Sequence, residues 1–237
     1  MNNFMTDYDN FIFDLYGTLI DILTDEYADS TWIKFNEYLD GLGIKHPDVD
    51  TFRSDFFALD KAYRAMDTPY DYPEIDIIPV YSELFEKYKN SPKIYTSTDI
   101  LNQIAYSFRT ASREYMRLFP GLEEFLKMLK ANGKKIYILS NAQASYTLPE
   151  IEYFGLDKTM DDILISSDYK CMKPDVYFYN AIINKHHMNK ERTVMLGDSY
   201  ENDYRGAINA GISGIWLGED NSPRTFYLNC GKTQKDI

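Results

Sequence analysis

Apolar residues in this chain follow two different rhythms. Short unbroken runs occur at Phe11-Ile12-Phe13, Lys135-Ile136-Tyr137-Ile138-Leu139 and Thr193-Val194-Met195-Leu196, each stopping at polar residues: Asp14, Ser140-Asn141 and Gly197-Asp198. Runs of this length without alternation predict strands buried on both faces. Ile163-Leu164-Ile165 and Ile212-Ser213-Gly214-Ile215-Trp216 predict two more. Between the runs, Leu122, Phe125, Leu126 and Leu129 fall on one helical face bracketed by Pro120 and Gly133, and a further helix is expected over about 175–185, after Pro174. Strand and helix alternate, so the expected class is α/β: a Rossmann-like parallel sheet with helices on both faces. Ligand sites in such sheets gather at the carboxyl ends of strands, where the polar clusters fall.

Residues 21–112 follow the other rhythm. Ala28, Trp32, Phe35, Leu39 and Leu42 recur at helical spacing, as do Phe52, Phe56, Leu59, Tyr63 and Met66, and then Leu101, Ile104, Phe108, Ala111 and Tyr115. A helical insertion is therefore expected just after the first strand, giving a core of residues 1–20 and 113–237 and a helical cap of residues 21–112. Pro69, Pro73, Pro79 and Pro92 punctuate the insertion, so its third helix is marked least clearly. Residues from about 221 to 237 match no pattern of this kind.

Composition narrows the functional classes. The 237 residues suffice for one large domain or a core with an insertion. A net charge of −12 repels phosphate backbones and anionic lipid, so neither nucleic acid nor a membrane surface is an expected partner. A small anionic substrate would need a local cation. Cys171 and Cys230 offer neither a disulfide framework nor metal-ligand spacing. The first residues, 1–9, lack the basic start and apolar stretch of a secretion signal, and no apolar run approaches a membrane span. Together these features predict a cytoplasmic protein. The 21 tyrosines suggest aromatic packing beside a wet cleft.

Four clusters carry candidate chemistry. Asp14 ends the first apolar run, and Gly17 and Thr18 follow it in a turn that could present its carboxylate. Ser140 and Asn141 can hydrogen-bond an anion, Lys173-Pro174 places an ammonium just before a helix, and Asp198 and Asp203 could serve one hard cation. Taken singly, each has a plainer reading: a turn acid, a helix cap, an exposed loop lysine, solvated acids.

Taken together, in this order on successive strand ends, the clusters resemble the four motifs of the haloacid dehalogenase superfamily. The similarity runs over residues 9–18 and about 115–218, and the helical insertion occupies the place of the family's cap. The resemblance implies that Asp14 is a nucleophile assisted by Ser140, Lys173 and Asp203. It implies a phosphoryl cradle of Tyr16, Gly17, Thr18, Ser140, Asn141 and Lys173. It also implies a Mg2+ held by Asp14, Asp198 and the Tyr16 main-chain carbonyl, with Asp203 in support. Charge points the same way, since two like charges about 4 Å apart repel by about 4 kcal/mol at an effective dielectric of about 20, and one lysine cannot offset several such pairs.

Tyr16 departs from the phosphatase pattern, in which a second Asp protonates the leaving alcohol. Tyrosine, with an ordinary pKa near 10, is a poor substitute. Asp14-Leu15-Tyr16-Gly17-Thr18-Leu19 is similar to the family's 2-haloacid dehalogenases, in which a halide departs without a proton and a cap arginine holds the substrate carboxylate. Lys34 stands where a loosely similar dehalogenase segment has that arginine, with Arg53 and Arg64 nearby. Gly197-Asp198-Ser199 with Asp203 favours the phosphatase. The expected function is thus magnesium-dependent hydrolysis of a small phosphorylated metabolite, with dehalogenation as the alternative and a low-turnover phosphometabolite-binding protein as a third reading.

Overall fold

The computed structural model describes residues 4–230; the beginning of the 1–20 segment and the last residues of the tail, 231–237, lie outside the described residues. Five parallel strands form the central sheet. They are β1 (Asn10–Phe13), β4 (Lys135–Ser140), β5 (Asp162–Ile165), β6 (Thr193–Gly197) and β7 (Ser213–Trp216), in the order β5-β4-β1-β6-β7. Phe13 pairs with Ile138 on one side and Leu196 on the other, which brings three polar strand ends into one row. Alternation along β1 divides the core. Phe11 and Phe13 pack with Leu122, Phe125, Leu129 and Ile138, while Ile12 packs on the opposite face with Leu139, Phe178, Tyr179, Ile182 and Met195. Both faces of the sheet are therefore covered, and the unbroken apolar runs follow from that.

A separate antiparallel ribbon joins β2 (Ile20–Thr24) to β3 (Arg113–Leu118), with Ile20 opposite Leu118 and an irregularity at Leu23 and Thr24. Here the structure corrects the sequence reading: Tyr115 lies on a strand and does not continue a helical face. The helix Thr98–Ser112 stops because Arg113 turns extended, at φ −85° and ψ 123°. Its partner strand is some ninety residues away, beyond the reach of a local periodicity.

Helices Asp29–Gly41, Val49–Arg64, Ile78–Lys87 and Thr98–Ser112 gather around Trp32, Phe35, Phe52, Phe56, Tyr81, Phe85 and Phe108. Trp32 and Phe108 are 4.9 Å apart between ring centroids, and Tyr146 from the sheet-bearing part joins this cluster. Aromatic pairs of this kind contribute about 0.5–1.5 kcal/mol each beyond burial. Leu42 and Met66 leave the stripe and are exposed, because their helices end at Gly41 and Arg64. Pro79 and Pro92 initiate helices here, at positions where their missing N–H has no intrahelical partner. The tail also has structure: Pro223–Cys230 is a helix whose Tyr227 is fully buried against Phe125. Among the described residues no helix is long and apolar enough to cross a membrane.

Candidate active site

Asp14 follows the last residue of β1, its N–H donating to the Leu196 carbonyl at 2.9 Å. The chain then folds back at once: the N–H groups of Leu19 and Ile20 both donate to the Leu15 carbonyl, at 2.8 and 2.9 Å. This tight return requires φ +80° at Gly17, and a Cβ built there would stand 2.2 Å from Asp198 Oδ2. Thr18 is fully buried, and its hydroxyl accepts the Asp198 N–H at 3.1 Å. The Tyr227 hydroxyl donates to the Thr18 carbonyl at 3.1 Å, so the tail helix braces the loop from behind. Tyr227 escaped the sequence reading because no motif marks it.

Lys173 is buried, with Nζ 2.7 Å from Asp14 Oδ1 and 2.7 Å from Asp203 Oδ1. The second Asp203 oxygen accepts the Ser199 N–H at 2.9 Å, so both of its oxygens have a partner within the protein. Two carboxylates thus share one ammonium, with that of Asp198 close by. Burial opposes the charge on Lys173, but Asp14 and Asp203 outweigh it and hold the lysine pKa above its ordinary value. The surplus negative charge resides on the acids. Burial pushes the Asp203 carboxyl up to about 6 against the pull of Lys173, and burial followed by Asp14 raises that of Asp198.

Oxygens of Asp14, Asp198 and Asp203 lie within 4.8 Å of one another, a donor set suited to a hard divalent cation. Asp198 remains solvent-accessible in the space that the absent Gly17 Cβ leaves open. Gly17→Ala should therefore displace Asp198, destabilising the fold by about 1–3 kcal/mol through backbone strain and weakening cation binding about 10–100-fold. Urea unfolding and calorimetric titration with magnesium would measure both effects.

Ser140, the last residue of β4, is almost fully buried, yet its hydroxyl has no hydrogen-bond partner among the described residues. Asn141 is committed elsewhere. Its Nδ2 donates to the Lys173 carbonyl at 2.9 Å and its Oδ1 accepts the Lys173 N–H at 2.7 Å, clamping the backbone that carries the ammonium beside a cis Lys173–Pro174 bond.

The structure places Tyr16 in a network that the sequence did not reveal. Its hydroxyl donates to the Glu150 carboxylate and lies 3.1 Å from Thr147 Oγ1. Burial, then Glu150, push the phenol pKa well above its usual value. Arg109 lies over the Tyr16 ring, 4.9 Å from its centroid, and donates to Glu150 Oε1 at 3.1 Å; Arg113 donates to the same oxygen at 3.0 Å. Glu150 is fully buried, so Tyr16→Phe should cost about 1–3 kcal/mol by removing one of its donors, an effect that urea denaturation would register.

A cavity of about 380 Å³ opens beside Tyr16 and Asn141, with Glu26, Tyr27, Phe57 and Arg109 among its walls. Of the cap cations considered from sequence, only Arg64 reaches it, bound to Asp60 and to Glu74 at 3.0 Å. Arg53 pairs with Asp29 and Asp50, and Lys34 is exposed away from this cavity. Gln143 ties the two parts together, accepting the Ile77 N–H at 2.8 Å and donating to the Ile75 carbonyl at 2.9 Å.

The model of the haloacid dehalogenase-like hydrolases matches residues 8–211. The chain belongs to that family. Among curated haloacid dehalogenase-like relatives, a phosphoglycolate phosphatase of Agrobacterium fabrum is 24% identical over 209 residues, covering 86% of this chain and 78% of that protein. A pyrimidine 5'-nucleotidase of Escherichia coli is 30% identical over 112 residues, 47% of this chain and 49% of that protein. A glyceraldehyde 3-phosphate phosphatase of Methanothermobacter thermautotrophicus is 26% identical over 105 residues, 44% of this chain and 46% of that protein. The chain thus spans about half the length of several curated relatives it matches. Its fold is similar to that of a 2-haloacid dehalogenase from Pseudomonas syringae, with TM-score 0.64, 16% identity and coverage of 95% and 100% of the two chains. It is also similar to a Bacillus subtilis HAD-hydrolase described as bound to magnesium, with TM-score 0.53, 17% identity and coverage of 95% and 99%.

Proposed function

We propose that this hydrolase is a magnesium-dependent phosphatase of small phosphorylated metabolites, acting through Asp14 in the cytoplasm. The observation that carries the proposal is the cluster of Asp14, Asp198 and Asp203 around one buried lysine, beside a seryl hydroxyl with nothing to bond. Asp14, Asp198 and the Tyr16 carbonyl would hold the ion, and Asp203 would support it by fixing Lys173. Bound magnesium would neutralise phosphoryl charge and polarise phosphorus toward attack.

The protein's own residues do the rest. The Asp14 carboxylate attacks phosphorus as the bond from phosphorus to the leaving-group oxygen breaks, giving an aspartyl-phosphate and releasing the leaving group, and water then hydrolyses the aspartyl-phosphate to free Asp14 and phosphate. The Ser140 hydroxyl is available to donate to a phosphoryl oxygen, and Lys173, positioned by Asn141 and Asp203, offsets the charge that develops there. The phosphatase names of the curated relatives support this reading. Tyr16 favours dehalogenation as the second reading. Against that, Arg64 and Arg109, which line the cavity, are already paired with acids and leave no evident cation for a substrate carboxylate.

The test is a panel of phosphorylated metabolites and 2-haloacids, scored for phosphate and halide with magnesium and with chelator. Magnesium-dependent phosphate release is expected; halide release indifferent to chelator would overturn the proposal.

A further inference from the structure

If the enzyme hydrolyses ordinary phosphate esters, a proton must reach the leaving oxygen, and Tyr16 is badly placed to supply it. Its hydroxyl hydrogen is engaged by Glu150, and its acidity is suppressed by burial. Three carboxylates line the cavity beside it: Glu26, Asp60 and Glu74. Glu74 is saturated, accepting from Arg64 at 3.0 Å, from the Ile75 N–H at 2.9 Å and from Ser166 Oγ at 3.3 Å. Arg64 Nε lies 3.1 and 3.0 Å from the two Asp60 oxygens, so that carboxylate already has an ion partner. Among the described residues no histidine lines this cavity.

Glu26 differs from both. Among the described residues the only ion pair of its carboxylate is at 3.7 Å to Arg109 Nη1, and Arg109 is already claimed by Glu150 through Nε at 3.1 Å and Nη2 at 3.5 Å. Its backbone is nevertheless fixed. The Trp32 indole N–H donates to the Glu26 carbonyl at 2.9 Å, and Asp25 Oδ1 accepts the N–H groups of Tyr27 and Ala28, each at 2.9 Å. Strand β2 carries the chain directly from the Asp14 loop to this point. Tyr16, Arg109 and Glu26 therefore succeed one another from that loop into the cavity that a leaving group would occupy.

We propose, resting on the phosphatase reading above, that Glu26 is the catalytic general acid that replaces the missing acid at position 16. As the P–O bond to the leaving group breaks and the bond to Asp14 forms, the Glu26 carboxyl gives its proton to the departing oxygen. In the second half-reaction the Glu26 carboxylate takes a proton from the water attacking phosphorus, the P–O bond to Asp14 breaks, and the acid is restored. The surroundings favour the protonated form of this carboxyl over the ordinary exposed one. Burial raises the proton affinity of Glu26 against the pull of Arg109, with Asp60 adding to burial and Arg64 opposing it, and Glu26 in turn adds to the burial that raises the phenol pKa values of Tyr81 and Tyr146.

The experiment compares wild type and Glu26→Gln with magnesium on two esters: p-nitrophenyl phosphate, whose phenolate leaves without a proton, and the alkyl phosphate that wild type hydrolyses fastest. Glu26→Gln should lose about 10²–10⁴-fold in kcat/KM on the alkyl ester and far less on the aryl ester, whose turnover also verifies the fold. The fall of the wild-type alkyl rate at high pH should vanish in the variant. Equal losses on both esters, or none on either, would overturn the role of Glu26 while leaving the phosphatase reading intact. If wild type releases phosphate from neither ester, both proposals fail together.

Discussion

Asp14→Asn should lose about 10⁴-fold or more of the magnesium-dependent phosphate release, because the amide preserves the shape of the side chain but is no nucleophile. The fold should survive, since Lys173 keeps Asp203 as an ion partner at 2.7 Å. Substrate affinity should change much less than turnover, as Ser140 and Lys173 remain in place. Acid-quenched wild type should carry a phosphoryl group on Asp14 during turnover, and the variant should not; mass spectrometry of the peptide containing residue 14 would check this. Undiminished release by Asp14→Asn would remove Asp14 from the chemistry.

Lys173→Met should have the largest effect on stability. The ammonium is buried between Asp14 and Asp203, and its removal leaves uncompensated carboxylates in the interior, an error that typically destabilises by about 3–5 kcal/mol. The pH dependence has a definite sign. In the wild type the Asp203 carboxyl is pushed up from 3.8 to about 6. Within that window the native state holds a proton that the unfolded chain has released. The contribution of Asp203 to stability is therefore greatest below the lower value and declines as pH rises through the upper one. Without Lys173 the native proton affinity increases further. The stability gap between variant and wild type should thus be wider at about pH 8 than at about pH 5 in urea titrations without metal. A gap that narrows on raising pH would mean that the acids do not carry the charge assigned to them.

Much of the candidate site is visible along the chain because its proposed parts are local signals repeated on successive strands. An apolar run ending in Asp14, another ending in Ser140, Lys173 before Pro174, and Asp198 with Asp203 are each visible within a few residues. Parallel pairing of β1 with β4 and β6 converts that linear order into a shared edge. Thr18 and Asn141 show where local reading stops. Their types suggested contact with a ligand, yet the Thr18 hydroxyl supports the Asp198 backbone and the Asn141 amide clamps Lys173. A side chain's chemistry limits which bonds it can form; its neighbours decide which it does form.

The same distinction governs Tyr16 and Glu150. An α/β core with a helical insertion is legible in the linear pattern, because period and strand-end polarity are short-range properties, while its hydrolase character comes from the resemblance of the strand-end motifs to a known family. Folding alone set the long-range contacts: Tyr16 is held by Glu150 across 134 positions, Arg109 covers its ring, Tyr227 braces the Asp14 loop, and Glu26 lines the cavity with its charge poorly matched. Those contacts join segments whose separation is set by the packing of the whole sheet and its insertion. Burial, which gives them their electrostatic weight, exists only once that packing is complete.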